Sequence, residues 1–134
     1  MLPARPHLRT IAAYLRLRAR LGRAWKERDV QGVLRELDAG GGHLPEHGLA
    51  ESVRVAEHLA ARLRGPNTCL FRALARYGVC VRAGVDVELR LGVREKGAND
   101  LDGHAWVIAY GAPWLEPAAP PHHVTLSHRH PSMI

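Results

Sequence analysis

A change of hydrophobic period at Gly84 limits what this chain can become. Before it, between Thr68 and Ala83, Leu70, Leu74, Tyr77 and Val81 recur at helical spacing with Ala73 beside them. After it, Val85, Val87, Leu89, Leu91 and Val93 alternate with Asp86, Glu88, Arg90 and Gly92. The first pattern marks one side of a helix and the second a strand with one buried face. A helix side and a strand face joined by one glycine share a core, so the order predicts an α+β fold. Glycine at position 84 suits the left-handed end of a helix. Gly78 lies inside the helical run, and the persistence of the pattern to Val81 favours continuation through it.

The strand needs partners. His104 to Tyr110 reads as a second strand, with His104, Trp106, Ile108 and Tyr110 on one face and Ala105, Val107 and Ala109 on the other. Residues 94 to 103 read as a polar loop. Gly111-Ala112-Pro113 reads as a turn, Trp114-Leu115-Glu116 as the start of a third short strand and Val124-Thr125-Leu126 as a brief edge strand. Neighbours this close in sequence predict a small antiparallel sheet.

Three helices are expected upstream. Residues 8 to 24 place Ile11, Leu15, Arg18, Leu21 and Trp25 at steps of three or four, broadened by Ala12, Leu17 and Ala19. Residues 30 to 38 carry Val30, Val33, Leu34 and Leu37 and end at Gly40-Gly41-Gly42. Residues 46 to 64 carry Leu49, Val53, Ala56, Leu59, Ala60 and Leu63 and end at Gly65-Pro66, which cannot continue a helix. His58 reads as a surface or structural residue. A length of 134 residues suits one domain. Within it we distinguish a helical part at 1–64, a catalytic core at 65–117 and a tail at 118–134.

The net charge of +6 is uneven. Residues 1–28 hold eight arginines and lysines against Glu27 alone, a net of +7. Such an excess attracts acidic surfaces, although an arginine-rich solvated helix face explains it equally. Aromatic residues for stacking bases are few there, which argues against nucleic acid. No apolar run is long enough for a membrane span and no signal peptide is evident, so a cytoplasmic protein is the simplest reading. The two cysteines, Cys69 and Cys80, would lie about 16 Å apart along one helix, too far for a disulfide. Cys80, mid-helix, reads as structural.

Cys69 is different because it opens the helix. A helix start presents unpaired N–H groups and the positive end of the dipole, which favour thiolate over thiol. Thr68 or Asn67 serves as the N-cap. His104 follows 35 residues later on a strand, and Glu116 follows 12 residues after that. Cysteine, histidine and carboxylate in this order can form a nucleophile, its base and the base's orienter. Asp102, two residues before His104, competes with Glu116 for the last role, while Asp100 reads as a loop residue. The plain alternatives are a buried cysteine, a structural histidine and a surface carboxylate. Trp106 is expected to pack beside His104 rather than bind substrate, and Asn67 either caps the helix or aids the oxyanion site.

These stretches resemble the B2-type leader peptidases of lasso-peptide biosynthesis, small members of the transglutaminase-like, papain-like cysteine protease superfamily. The resemblance rests on Cys69-Leu70-Phe71-Arg72-Ala73-Leu74, on Leu91-Gly92-Val93 closing a strand, and on His104-Ala105-Trp106-Val107 with Gly111 and Glu116. It spans roughly residues 65 to 117. It implies a papain-like or transglutaminase-like core with Cys69 as nucleophile and His104 as base. Glu116 falls where the family usually has aspartate, and its longer side chain requires a shifted backbone or another rotamer. The implied activity is removal of the leader from a ribosomally made precursor, with no cofactor. The implied partners are the precursor peptide, a separate leader-binding protein and a macrolactam synthetase; the arginine-rich helices would meet the leader or its carrier. An acyl transfer from the same thioester is the competing enzymatic reading. A metal-binding or scaffold protein built on His122, His123, His128 and His130 is the non-enzymatic one.

Overall fold

The computed structural model describes residues 5–24, 30–40, 42–62 and 68–133. The expectations for Trp25, Gly41, Leu63, Gly65-Pro66 and Asn67 fall outside these residues. Four helices, α1 (Leu8–Ala24), α2 (Val30–Ala39), α3 (Leu49–Ala60) and α4 (Cys69–Arg82), precede four strands, β1 (Val87–Gly97), β2 (Asp100–Ala109), β3 (Ala112–Pro113) and β4 (His123–Arg129). A 3-10 turn, Pro131–Met133, follows. The fold is α+β, as the period change requires. Its antiparallel sheet runs β3-β2-β1-β4.

The helix before Gly84 is the middle of the molecule. Phe71 and every residue from Ala73 to Cys80 are buried. The helix packs against α1, α2 and α3 and against β1 and β2. Gly78 permits this crowding. A Cβ there would lie 2.8 Å from Leu17 Cδ1 of α1 and 3.1 Å from Leu37 Cδ2 of α2, so the glycine inside the helix admits two neighbours instead of ending it. Gly84 takes φ +74° and turns the chain into the sheet.

The buried side of α1 differs from the sequence reading. Among the described side chains of α1, Thr10, Tyr14, Leu17 and Leu21 are buried, while Ile11 and Leu15 are only partly covered. Tyr14 enters the core because its hydroxyl donates a 2.7 Å hydrogen bond to Glu57 Oε2 of α3. Leu59, expected in the buried stripe of α3, is 42% exposed.

Val87, Leu89, Ala105, Val107 and Ala109 form the sheet layer facing the main core. Register pairs Val87 with Ala109, Leu89 with Val107 and Leu91 with Ala105. The alternate pairs, Arg90 with Trp106 and Gly92 with His104, lie on the other face.

Two sheet expectations are corrected and a third is extended. Residues 94–103 are not a loop: β1 and β2 continue as a polar ribbon, in which Arg94 stands opposite Asp102 and joins it at 3.0 Å. A cross-strand ion pair supports the ladder where no apolar face exists. Next, the turn is Tyr110-Gly111, both at positive φ, as a two-residue hairpin between right-twisting strands requires. The third strand is therefore Ala112–Pro113, and Trp114-Leu115-Glu116 runs beyond it. Finally, the stretch set apart as a tail supplies β4, an edge strand longer than expected, which pairs with β1. His128 of β4 and Tyr77 of α4 both bond the Asp38 carboxylate of α2, closing the sheet onto the helices.

Candidate active site

Cys69 is the first residue of α4 and is half-buried. Thr68 is the N-cap: its Oγ1 accepts from the Phe71 N–H at 3.3 Å, and its carbonyl accepts from the Arg72 N–H. As the first two residues of the helix, Cys69 and Leu70 have no intrahelical carbonyl for their N–H groups. Donors of that kind beside a sulfur can stabilise a thiolate, or an oxyanion formed next to it.

His104 and Glu116 are brought together. His104 Nε2 lies 3.0 Å from Glu116 Oε1, with side chains 24% and 12% exposed. With Nε2 on the carboxylate, Nδ1 is the nitrogen left to take a proton. Among the described residues it has no hydrogen-bond partner, and the Cys69 thiol is not bonded to it. The imidazole thus sits on β2 and Glu116 lies beyond β3, while the thiol is carried separately on the helix.

Asp102 is engaged elsewhere. Its Oδ2 meets His122 Nε2 at 3.1 Å and Arg94 Nε at 3.0 Å. The bonds from His122 and then Arg94 hold the Asp102 carboxyl below its ordinary range. Asp100, placed in a loop by the sequence reading, is exposed and opens β2.

Aromatic rings wall the imidazole. Trp106 stacks on His104 with centroids 5.6 Å apart at 16°, and His122 lies 5.2 Å from His104 at 33°. Trp106 is 3% exposed, yet it stands outside the main core and belongs to this smaller cluster. Gly92, directly across the ladder from His104, makes the room. A Cβ there would lie 2.9 Å from the His123 carbonyl, 3.0 Å from His122 Cβ and 3.0 Å from the Trp106 ring.

Beneath the carboxylate lies an ion pair that sequence reasoning missed. Arg76 of α4 donates through Nε to Glu57 Oε2 at 2.7 Å and through Nη2 to Oε1 at 2.8 Å. Its Nη1 reaches the Trp114 carbonyl at 3.5 Å, two residues before Glu116. Burial lowers the Arg76 pKa, but the hydrogen bond and charge of Glu57, followed by the charge of Glu116, raise it overall. Tyr14, Glu57 and Arg76 therefore form a buried polar line ending near the site's carboxylate. No local pattern could have flagged it, since its members come from three helices.

The bonded C-terminal histidines divide between Asp102 and Asp38. His122 bonds Asp102, His128 bonds Asp38, and His130 bonds the Asp38 carbonyl and Ser132, while His123 is exposed. Among the described residues, no group of three or more histidines, cysteines or carboxylates converges as a metal site. No described helix is long and apolar enough to cross a membrane.

The chain belongs to the transglutaminase-like superfamily, whose family model matches residues 8–127. This family is associated with the B2-type proteins of lasso-peptide biosynthesis, and membership supports a role in that machinery. Searches of curated proteins and of solved structures returned no significant match.

Proposed function

From membership of the transglutaminase-like superfamily, we propose that this protein is a cysteine peptidase that removes the leader of a ribosomally made lasso-peptide precursor. The observation that carries the reading is the 3.0 Å bond between His104 Nε2 and Glu116 Oε1. It leaves Nδ1 as the base in a family whose chemistry needs a thiol, and Cys69 supplies that thiol from a capped helix start.

Cys69 Sγ loses its proton to His104 Nδ1 and attacks the scissile carbonyl, while Glu116 stabilises the imidazolium. The Cys69 and Leu70 N–H groups receive the developing oxyanion. The C–N bond breaks as His104 returns the proton to the leaving amine, the new N-terminus of the core peptide. Water, deprotonated by His104, then hydrolyses the thioester and frees the leader as an acid. A separate leader-binding protein presents the precursor, and a macrolactam synthetase consumes the freed amine.

The test incubates the protein and a leader-binding partner with the precursor from the same gene neighbourhood and follows the products by mass spectrometry. We expect a leader ending in a free carboxylate and none from Cys69→Ala. Cleavage surviving that substitution sinks the proposal; a leader joined to an added amine converts it to acyl transfer.

A further inference from the structure

A cavity lies at the other end of α4 from Cys69. It encloses about 510 Å³ and is lined by Arg9, Arg16 and Arg20 of α1, by His43, and by Arg82 of α4, over a floor that includes Leu17. The three α1 arginines stand at positions i, i+7 and i+11, so they form a row about 16 Å long on one side of the helix. Arg82 closes the row from the last turn of α4. Gly40 allows its guanidinium to lie against the chain, since a Cβ there would come within 2.7 Å of Nη2.

Four cations share this space with no carboxylate among the described lining residues. Burial and then the charges of Arg20 and Arg16 pull the Arg82 guanidinium below its ordinary value. Arg9 is tied to the His43 carbonyl and Arg82 to the Gly78 carbonyl, each bond using one nitrogen of a guanidinium group that carries five N–H donors. Mutually repelling guanidinium groups around an apolar floor gain most from an anion. Their linear arrangement matches a chain carrying several carboxylates better than one compact phosphate.

We propose that this cavity is a docking site for an acidic, extended segment of the peptide substrate, remote from the bond that is cut. The proposal rests on the peptidase reading for the identity of its occupant. The helix from Cys69 to Arg82 is about 20 Å long, so the acidic segment lies at least about six extended residues from the scissile bond. The site would govern which peptides are held and leave the chemistry at Cys69 unchanged.

The test uses Cys69→Ala protein, which separates docking from cleavage. A fluorescein-labelled peptide of alternating glutamate and alanine is titrated by anisotropy beside its glutamine counterpart, with inorganic phosphate and ATP as competitors. The glutamate peptide should bind at least tenfold more tightly. Arg16→Ser/Arg20→Ser should weaken it at least tenfold; both residues are exposed, and circular dichroism verifies that the variant is folded. Raising the salt should weaken it further. Equal binding of the two peptides, no binding, indifference to the double substitution, or displacement by phosphate or ATP at lower concentration than by unlabelled glutamate peptide overturns the proposal. Cleavage of the precursor by native protein is scored separately, so loss of the peptidase reading and loss of the docking site give different results.

Discussion

Replacing Arg76 with methionine should unfold this protein at a much lower temperature. Arg76 and Glu57 have side chains 10% and 15% exposed, so water screens the pair little. The Glu57 carboxylate receives two hydrogen bonds from Arg76 and one from Tyr14. Arg76→Met removes two of the three and leaves a nearly buried anion. Breaking such a pair from one side costs about 3–5 kcal/mol, and the remaining Tyr14 bond places this case near the lower figure. For a chain of this length about 3 kcal/mol corresponds to a drop of roughly 12 °C in Tm. Glu57→Gln added to Arg76→Met removes the stranded charge and keeps an acceptor for Tyr14, so about half of the loss should return. Thermal and urea unfolding by circular dichroism on the four proteins of the cycle give the coupling energy directly. A fall below 4 °C for Arg76→Met, or a coupling near zero, would refute the argument that this pair is uncompensated when broken.

Gly92→Val should cost about 1–3 kcal/mol, because its side chain meets the His123 backbone. It should also lower turnover at least tenfold by displacing Trp106 and His122 from His104; unchanged Tm and turnover together would contradict this. Iodoacetamide at neutral pH should modify Cys69 and spare Cys80, which is fully buried until the protein unfolds; peptide mapping reads this. Burial pushes the Cys80 thiol up to about 12, although Arg76 opposes the shift. The unfolded thiol ionises near 8.5, so between these values only the unfolded state loses its proton and stability falls as pH rises. Cys80→Ala should reduce that alkaline slope in urea unfolding, and an unaltered slope counts against the burial argument. Glu116→Gln should reduce kcat on the order of 100-fold or more, whereas Asp102→Asn, which touches His122 instead, should cost less than tenfold; the reverse order would assign the orienting role to Asp102.

Local signals carried much of the fold. The Gly84 switch and the positions of α1, α2 and α4 follow from spacing and capping alone, as does Cys80 in the interior, while the N-cap is narrowed to Thr68 or Asn67. What was hidden depends on partners distant in sequence. Tyr14 is buried because Glu57 accepts its hydroxyl 43 residues away. The 94–103 ribbon looked like a loop because its stability lies in ladder bonds and the Arg94–Asp102 pair, which create no apolar alternation. His122 looked like one member of a histidine cluster. Sheet pairing instead sets it against Trp106 and sends His128 to Asp38 on the core side. For the site, cysteine at a helix start and histidine on a strand were legible, whereas which carboxylate contacts His104 is set by the chain beyond β3 and by sheet pairing.

The longer side chain of Glu116 matches the backbone that carries it. Leu115 holds φ +60°, a conformation that a leucine adopts at a cost of about 1–2 kcal/mol. It is fixed from the preceding residue: the Trp114 N–H donates to the Val107 carbonyl at 2.9 Å, Trp114 is buried, and Arg76 reaches its carbonyl. The chain therefore leaves β3 abruptly, and the Glu116 carboxylate reaches back to the imidazole. Glu116→Asp withdraws the carboxylate by about 1.5 Å, one carbon–carbon bond. The 3.0 Å contact to His104 would then exceed hydrogen-bonding range. The charge is kept, so the substitution isolates reach. Turnover should fall to within tenfold of Glu116→Gln while Tm stays within a few degrees of the native protein. Full activity in Glu116→Asp would show that Leu115 and its neighbours yield easily, and that the conformation at Leu115 does not set the distance between Glu116 and His104.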